Sequence, residues 1–260
     1  MEKYDIIILG GQSNAEGAGL GEVENIYQPN DKILCMDAEK TVEVAPEAMR
    51  VTFLDKPFSI QVANERLGEN GQRVGSFALI FAREYMASGL LEEGRKLLIV
   101  RVAVGGTGFK KGHWGVNAPL YYKLREMTDY ALSLNTENKV VAFLWHQGEH
   151  DAFEGNPPEN YKKQLLELLS DVRARYKGVP FIAGDFVNEW KSLNIESCAP
   201  IVDVIKDVVA EIGNSAFVEA ADLPSNNETR KDGDNIHFCK QSAYALGERY
   251  FDAYRRIIGK

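Results

Sequence analysis

The chain has 260 residues, 45% of them hydrophobic and 26% charged, with a formal net charge of −8. That length can bury a sizeable core, and the composition is that of a globular rather than a disordered protein. The acidic balance argues against a nucleic-acid backbone or an anionic membrane surface as partner, since both need a basic face.

Met1-Glu2-Lys3-Tyr4-Asp5 runs straight into Ile6-Ile7-Ile8-Leu9. That apolar run is too short for a signal segment, and no later stretch is long and apolar enough to span a membrane. The three cysteines, Cys35, Cys198 and Cys239, include no C-x-x-C pair. Their odd number and wide spacing predict reduced thiols, hence a cytoplasmic location.

Five short apolar runs read as strands: 5–9, 96–104, 140–145, 180–184 and 216–220. Runs without alternation suit parallel strands buried on both faces. Helical patterns lie between and after them, over 76–91, 120–134, 159–176, 199–212 and 240–258. The third follows Pro157-Pro158, a start signal, and the apolar stripes of all five read as core faces. Alternating strands and helices predict an α/β fold with a parallel sheet. We expect one domain over 1–260. Residues 18–75 show no clean long helix, and we expect an insertion there, a loop wall or small hairpin over the site.

In an open parallel sheet, ligands bind outside the carboxyl ends of the strands. Four polar or glycine-rich clusters fall at such places: Gly10-Gly11-Gln12-Ser13-Asn14, Gly105-Gly106-Thr107-Gly108, His146-Gln147-Gly148-Glu149 and Asp234-Asn235-Ile236-His237. Together they hold the parts of an acyl-transfer site. A serine hydroxyl is a weak nucleophile until a base takes its proton, and histidine does this best near neutral pH. A carboxylate fixes the histidine's tautomer, and convergent N–H donors hold the oxyanion. Ser13 would be the nucleophile and His237 the base. Asp234 or Glu149 would orient the histidine; the short loop shared with His237 favours Asp234. Ser13 and Gly106 would give backbone N–H groups to the oxyanion, and Gln147 its side-chain amide. Gln12, Asn14 and His150 would contact substrate.

These residues resemble the SGNH hydrolase superfamily. Within it, they are similar to the sialate O-acetylesterase-like and acetylxylan-esterase-like carbohydrate esterases. The matching pieces are Gly11-Gln12-Ser13-Asn14, Gly105-Gly106-Thr107, the run from Trp145 to Asp151 and Asp234-Asn235-Ile236-His237. They occur in family order and span nearly the whole chain. The resemblance implies a three-layer flavodoxin-like fold with a central parallel sheet and helices on both faces. It implies removal of acetyl groups from a small acetylated saccharide, without metal or cofactor. It gives Ser13, His237 and Asp234 the same roles as above. Where the superfamily usually has asparagine as third oxyanion donor, this sequence has Gln147.

Two other readings compete. One is a carbohydrate-binding protein without turnover on the same fold. The other is a zinc hydrolase, because His146 to His150 fits H-x-x-E-H. That chemistry needs both histidines one turn apart on a helix, and here Gly148 interrupts the run. Arg101, in an otherwise apolar strand, calls for an acidic partner. His113 and Trp114 belong either to a sugar-binding rim or to loop packing. Oligomeric state is not encoded in any motif.

Overall fold

The computed structural model describes residues 2–45, 48–68 and 71–260, without the side chains of 45 and 48. Ile6-Ile7-Ile8-Leu9 has no polar face to turn to water. It forms the middle of β1 (Lys3–Gly11), where all four side chains are fully buried. Each such side chain stabilises the fold by about 1.5–3 kcal/mol relative to exposure. After β1 the chain makes a short helix α1 (Ser13–Glu16), then β2 (Ile33–Asp37), a hairpin of β3 (Lys40–Ala45) and β4 (Ala48–Phe53), and β5 (Ser59–Val62). Helix α2 (Phe77–Ala87) leads to β6 (Arg95–Ala103), α3 (Pro119–Ser133) to β7 (Lys139–His146), and α4 (Glu149–Phe153) with α5 (Pro158–Arg175) to β8 (Phe181–Gly184). The chain closes with α6 (Asn188–Leu193), α7 (Ile195–Ile212), β9 (Ser215–Val218), α8 (Asn226–Arg230) and α9 (Lys240–Ile257).

The main sheet has the order β5-β2-β6-β1-β7-β8-β9. All neighbours are parallel except β5, which runs antiparallel to β2 at the edge. Helices α2 and α9 pack together on one face, while α3, α5 and α7 cover the other. This is the expected three-layer α/β arrangement. The five expected strands and five expected helices are all present. Helix α7 starts at Ile195, earlier than the expected Ala199, with Pro200 in its second turn. A proline there forfeits one hydrogen bond but keeps a helical φ.

The segment 18–75 does hold a hairpin, β3–β4, but it also sends β2 and β5 into the main sheet. Arg101 on β6 finds its acid there. Its guanidinium donates to both oxygens of Asp37 at the end of β2, at 2.6 and 2.8 Å.

Chain order reverses around β1: the chain goes from β1 to β2, β5 and then β6 on one side, and from β6 crosses to β7 on the other. Such a switch point opens a crevice at the carboxyl end of the sheet. The register makes it level: Gly11 pairs with Ala103 on β6 and with His146 on β7. The loops after β1, β6 and β7 therefore start side by side.

Candidate active site

Gly11 ends β1 with φ of 147°, and a Cβ there would lie 2.2 Å from the His146 carbonyl oxygen. Only glycine allows this turn and this approach. The turn delivers Gln12 as the residue before α1 and Ser13 as its first residue. Ser13 is half-buried, and its backbone N–H has no protein acceptor among the described residues. The loop after β6 lies against it. A Cβ built on Gly105 would sit 3.3 Å from Ser13 Cβ, and the Gly105 N–H donates to Glu16 Oε2 at 3.0 Å. The next residue, Gly106, has φ of 69°, and its N–H is also without a protein acceptor among the described residues.

His237 and Asp234 share the loop between α8 and α9. The His237 Nδ1 is 2.8 and 2.9 Å from the two Asp234 oxygens, and the His237 backbone N–H reaches Oδ1 at 3.3 Å. A carboxylate accepts only, so Nδ1 carries the proton and Nε2 presents its lone pair. Burial pushes the Asp234 carboxyl up, but His237 and the Asn226 amide outweigh it, and its pKa lies below the usual aspartate value. Neither Ser13 Oγ nor His237 Nε2 hydrogen-bonds to protein among the described residues. Both side chains are partly exposed, and catalytic hydrogen bonds commonly close only around substrate.

What joins the Ser13 loop to the His237 loop is Asn14. Its Nδ2 donates to the Ile236 carbonyl at 3.1 Å, and its Oδ1 accepts the Phe238 N–H at 3.2 Å. The same Nδ2 donates to Glu149 Oε1 at 3.0 Å. Asn14 is thus buried and fully used, so the expectation that it contacts substrate does not hold. Gln12 is buried too; its Oε1 accepts the His150 N–H at 3.1 Å, bracing β1 to α4. Its carbonyl oxygen is thus a brace, and its Nε2 makes no protein hydrogen bond among the described residues. His150 stands at the rim with a fifth of its side chain exposed, and burial, ahead of the opposing pull of Glu154 and Asp151, lowers its pKa.

Glu149 is fully buried and bonds Asn14, whereas the carboxylate on His237 is that of Asp234. Burial raises the Glu149 carboxyl, but His146, a backbone N–H and Asn14 together bring it below its usual value. His146 Nε2 lies 3.4 Å from Glu149 Oε1 without forming a hydrogen bond, and Glu149 Oε2 has no partner among the described residues.

Gln147 also departs from expectation. Its Nε2 faces two acceptors, the Thr107 carbonyl at 3.2 Å and Asp151 Oδ2 at 2.6 Å. Both amide hydrogens are spent, and Tyr161 Oη donates to its Oε1 at 3.3 Å. Gln147 therefore anchors the glycine loop and has no donor left for an oxyanion.

Three residues to which the sequence gives no role hold the loops. Buried Asp151 accepts from the Phe109 and Lys110 N–H groups, Gln147 and Asn156, at 2.6–2.9 Å. Asn226 donates to Asp234 Oδ2 at 2.8 Å and to the Ala18 carbonyl at 3.1 Å, and its N–H bonds the His237 carbonyl at 2.9 Å. Met49 of β4 lies over Gly106, and its carbonyl accepts from His113 Nε2 at 3.0 Å, so the hairpin covers the glycine loop. His113 Nδ1 accepts the Gly108 N–H, and buried Trp114 donates to Thr107 Oγ1 at 3.2 Å. Both residues pack the loop.

His146 ends β7 inside the core, with Nδ1 on Tyr250 Oη at 3.2 Å, while His150 sits on α4 beyond Gly148. The two histidines belong to different elements, so the spacing of a helical zinc motif is not realised. Among the described residues no three His, Cys, Asp or Glu side chains are grouped to hold a metal ion. No helix among them is long and apolar enough to cross a membrane.

The model of the family "Carbohydrate esterase, sialic acid-specific acetylesterase" matches residues 3–256. The chain belongs to this family. It is a carboxylic ester hydrolase that removes O-acetyl groups from carbohydrate. Among solved structures this carbohydrate esterase is similar to NanS, with 19% identity and a TM-score of 0.71, covering 99% of this chain and 98% of that one. A protein from Arabidopsis thaliana gives 20% identity and a TM-score of 0.63, with 98% and 99% covered. A carbohydrate acetylesterase from Xanthomonas citri gives 19% and 0.64, with 98% of this chain and 57% of that one covered. At these identities the likeness establishes the fold, that of the SGNH hydrolases. A search of curated protein sequences returned no significant match.

Proposed function

We propose that this esterase works through an acetyl-enzyme on Ser13. His237 Nε2 takes the Oγ proton as Oγ attacks the acetyl carbon. The oxyanion forms against the N–H groups of Ser13 and Gly106. The bond from carbon to the sugar oxygen then breaks, and His237 returns its proton to that oxygen. Water attacks the acetyl-serine, gives one proton to His237, and the collapse releases acetate and restores Ser13. The observation that carries this reading is His237. Its Nδ1 is fixed on Asp234, its Nε2 is unengaged among the described residues, and the peptides on either side of it are tied to the residue after Ser13.

His150 on the rim is the residue best placed to meet the sugar. The family's description makes O-acetylated sialic acid the first substrate to try; the acetylxylan-esterase-like motifs make acetylated xylo-oligosaccharide the second. The cytoplasmic reading rests on three buried, unpaired cysteines, which suit a reducing compartment, and it favours small sugars over polymers. The test is acetate release from both sugars and from p-nitrophenyl acetate. Ser13→Ala abolishes it on all three; activity retained in that variant would sink the proposal.

A further inference from the structure

Asn14 touches three things at once: the carbonyl before His237, the N–H after it, and the buried carboxylate of Glu149. Chain connectivity places it next to Ser13. A single side-chain amide thus spans the nucleophile's turn and both peptide groups flanking the base. We infer that Asn14 and Glu149 form a buried clasp that sets Ser13 against His237, with Glu149 a positioning residue acting through Asn14. The inference rests on the acetyl-enzyme reading above.

The chemistry of the amide explains why an acceptor is needed behind it. One Nδ2 hydrogen goes to Ile236, and the other must find an acceptor in a place closed to water. Glu149 Oε1 is that acceptor, at 3.0 Å. It also decides which way round the amide sits. With the nitrogen toward Glu149 and the Ile236 carbonyl, the oxygen is left for the Phe238 N–H. A reversed amide would set oxygen against two acceptors and nitrogen against a donor. Glu149 opens α4 just after β7, so the clasp ties the segments after β1 and β7 to the loop that carries His237.

The test is steady-state hydrolysis of p-nitrophenyl acetate across pH by Ser13→Ala, Asn14→Ala, Glu149→Ala and Glu149→Gln, each checked for folding by its melting transition. Small misplacement of reacting groups costs about 10²-fold in rate. Asn14→Ala and Glu149→Ala should therefore lower kcat by about 10²-fold, with KM within about threefold. Glu149→Gln keeps an acceptor for Asn14 and should lose only about fivefold, the difference between a charged and a neutral hydrogen bond. Its pH profile should keep the wild-type acid limb. The inference is overturned if Glu149→Gln falls as far as Glu149→Ala and moves that limb, because Glu149 then acts on His237 by charge. It is equally overturned if Asn14→Ala stays within about threefold of wild type. Should Glu149→Ala not fold, the Asn14→Ala and Glu149→Gln variants still decide. Activity surviving Ser13→Ala is a separate outcome, and it removes the acetyl-enzyme reading instead.

Discussion

Two carboxylates flank the candidate site, and they differ in almost every physical respect. Asp234 is partly exposed, sits three residues from His237, and holds its Nδ1 with both oxygens. Glu149 is fully buried, opens helix α4, and holds an asparagine amide with one oxygen while the other has no partner among the described residues. A group that must steady a charge appearing and vanishing on an imidazole benefits from direct contact with it. A group that must hold an amide one way round needs only a fixed acceptor where water cannot compete. Nearness to a site therefore does not give a carboxylate its role; the atom it bonds does.

That contrast can be broken by mutation. The largest effect is expected from Asp234→Asn, which leaves the shape but offers an amide to Nδ1 and favours the wrong tautomer. The activity on p-nitrophenyl acetate should fall by about 10³–10⁴-fold with KM little changed. Its loss should far exceed that of Glu149→Gln; equal losses would erase the distinction between the two carboxylates. A smaller effect should come from Asp151→Asn, which presents an amide where four donors converge on a buried carboxylate. The glycine loop should loosen, lowering kcat by about 10–10²-fold and stability by about 1–3 kcal/mol. Calorimetry beside kinetics checks this, and a variant as stable and active as wild type would show that Asp151 does not hold the loop.

Much of the layout was legible in the sequence because the strands are buried on both faces and so appear as unbroken apolar runs. The edge was not. Strand β5 is mostly exposed, short and antiparallel, and β2 is a five-residue run inside a segment without helical period. Ser13, His237 and Asp234 could be named because each stands beside a strand end or helix start in a chemically telling group. Gln147 and Glu149 were named for the right loop but the wrong bonds. Side-chain hydrogen bonds across loops far apart in sequence leave no local pattern, which is also why Asp151, although part of the matching run, and Asn226 receive no role from the sequence. The H-x-x-E-H spacing misled for a related reason: spacing means a shared helix face only where a helix runs through it, and Gly148, with φ of 143°, separates strand from helix there.

The central claim is that Ser13 forms the covalent intermediate. It is tested most directly by treating the enzyme with a phosphonate ester that gives a stable serine adduct, then mapping the modified peptide by mass spectrometry. One phosphonyl group per chain on Ser13, gained in step with the loss of acetate release, is the predicted result. Inactivation without modification of Ser13, or full modification of Ser13 with activity intact, would contradict it.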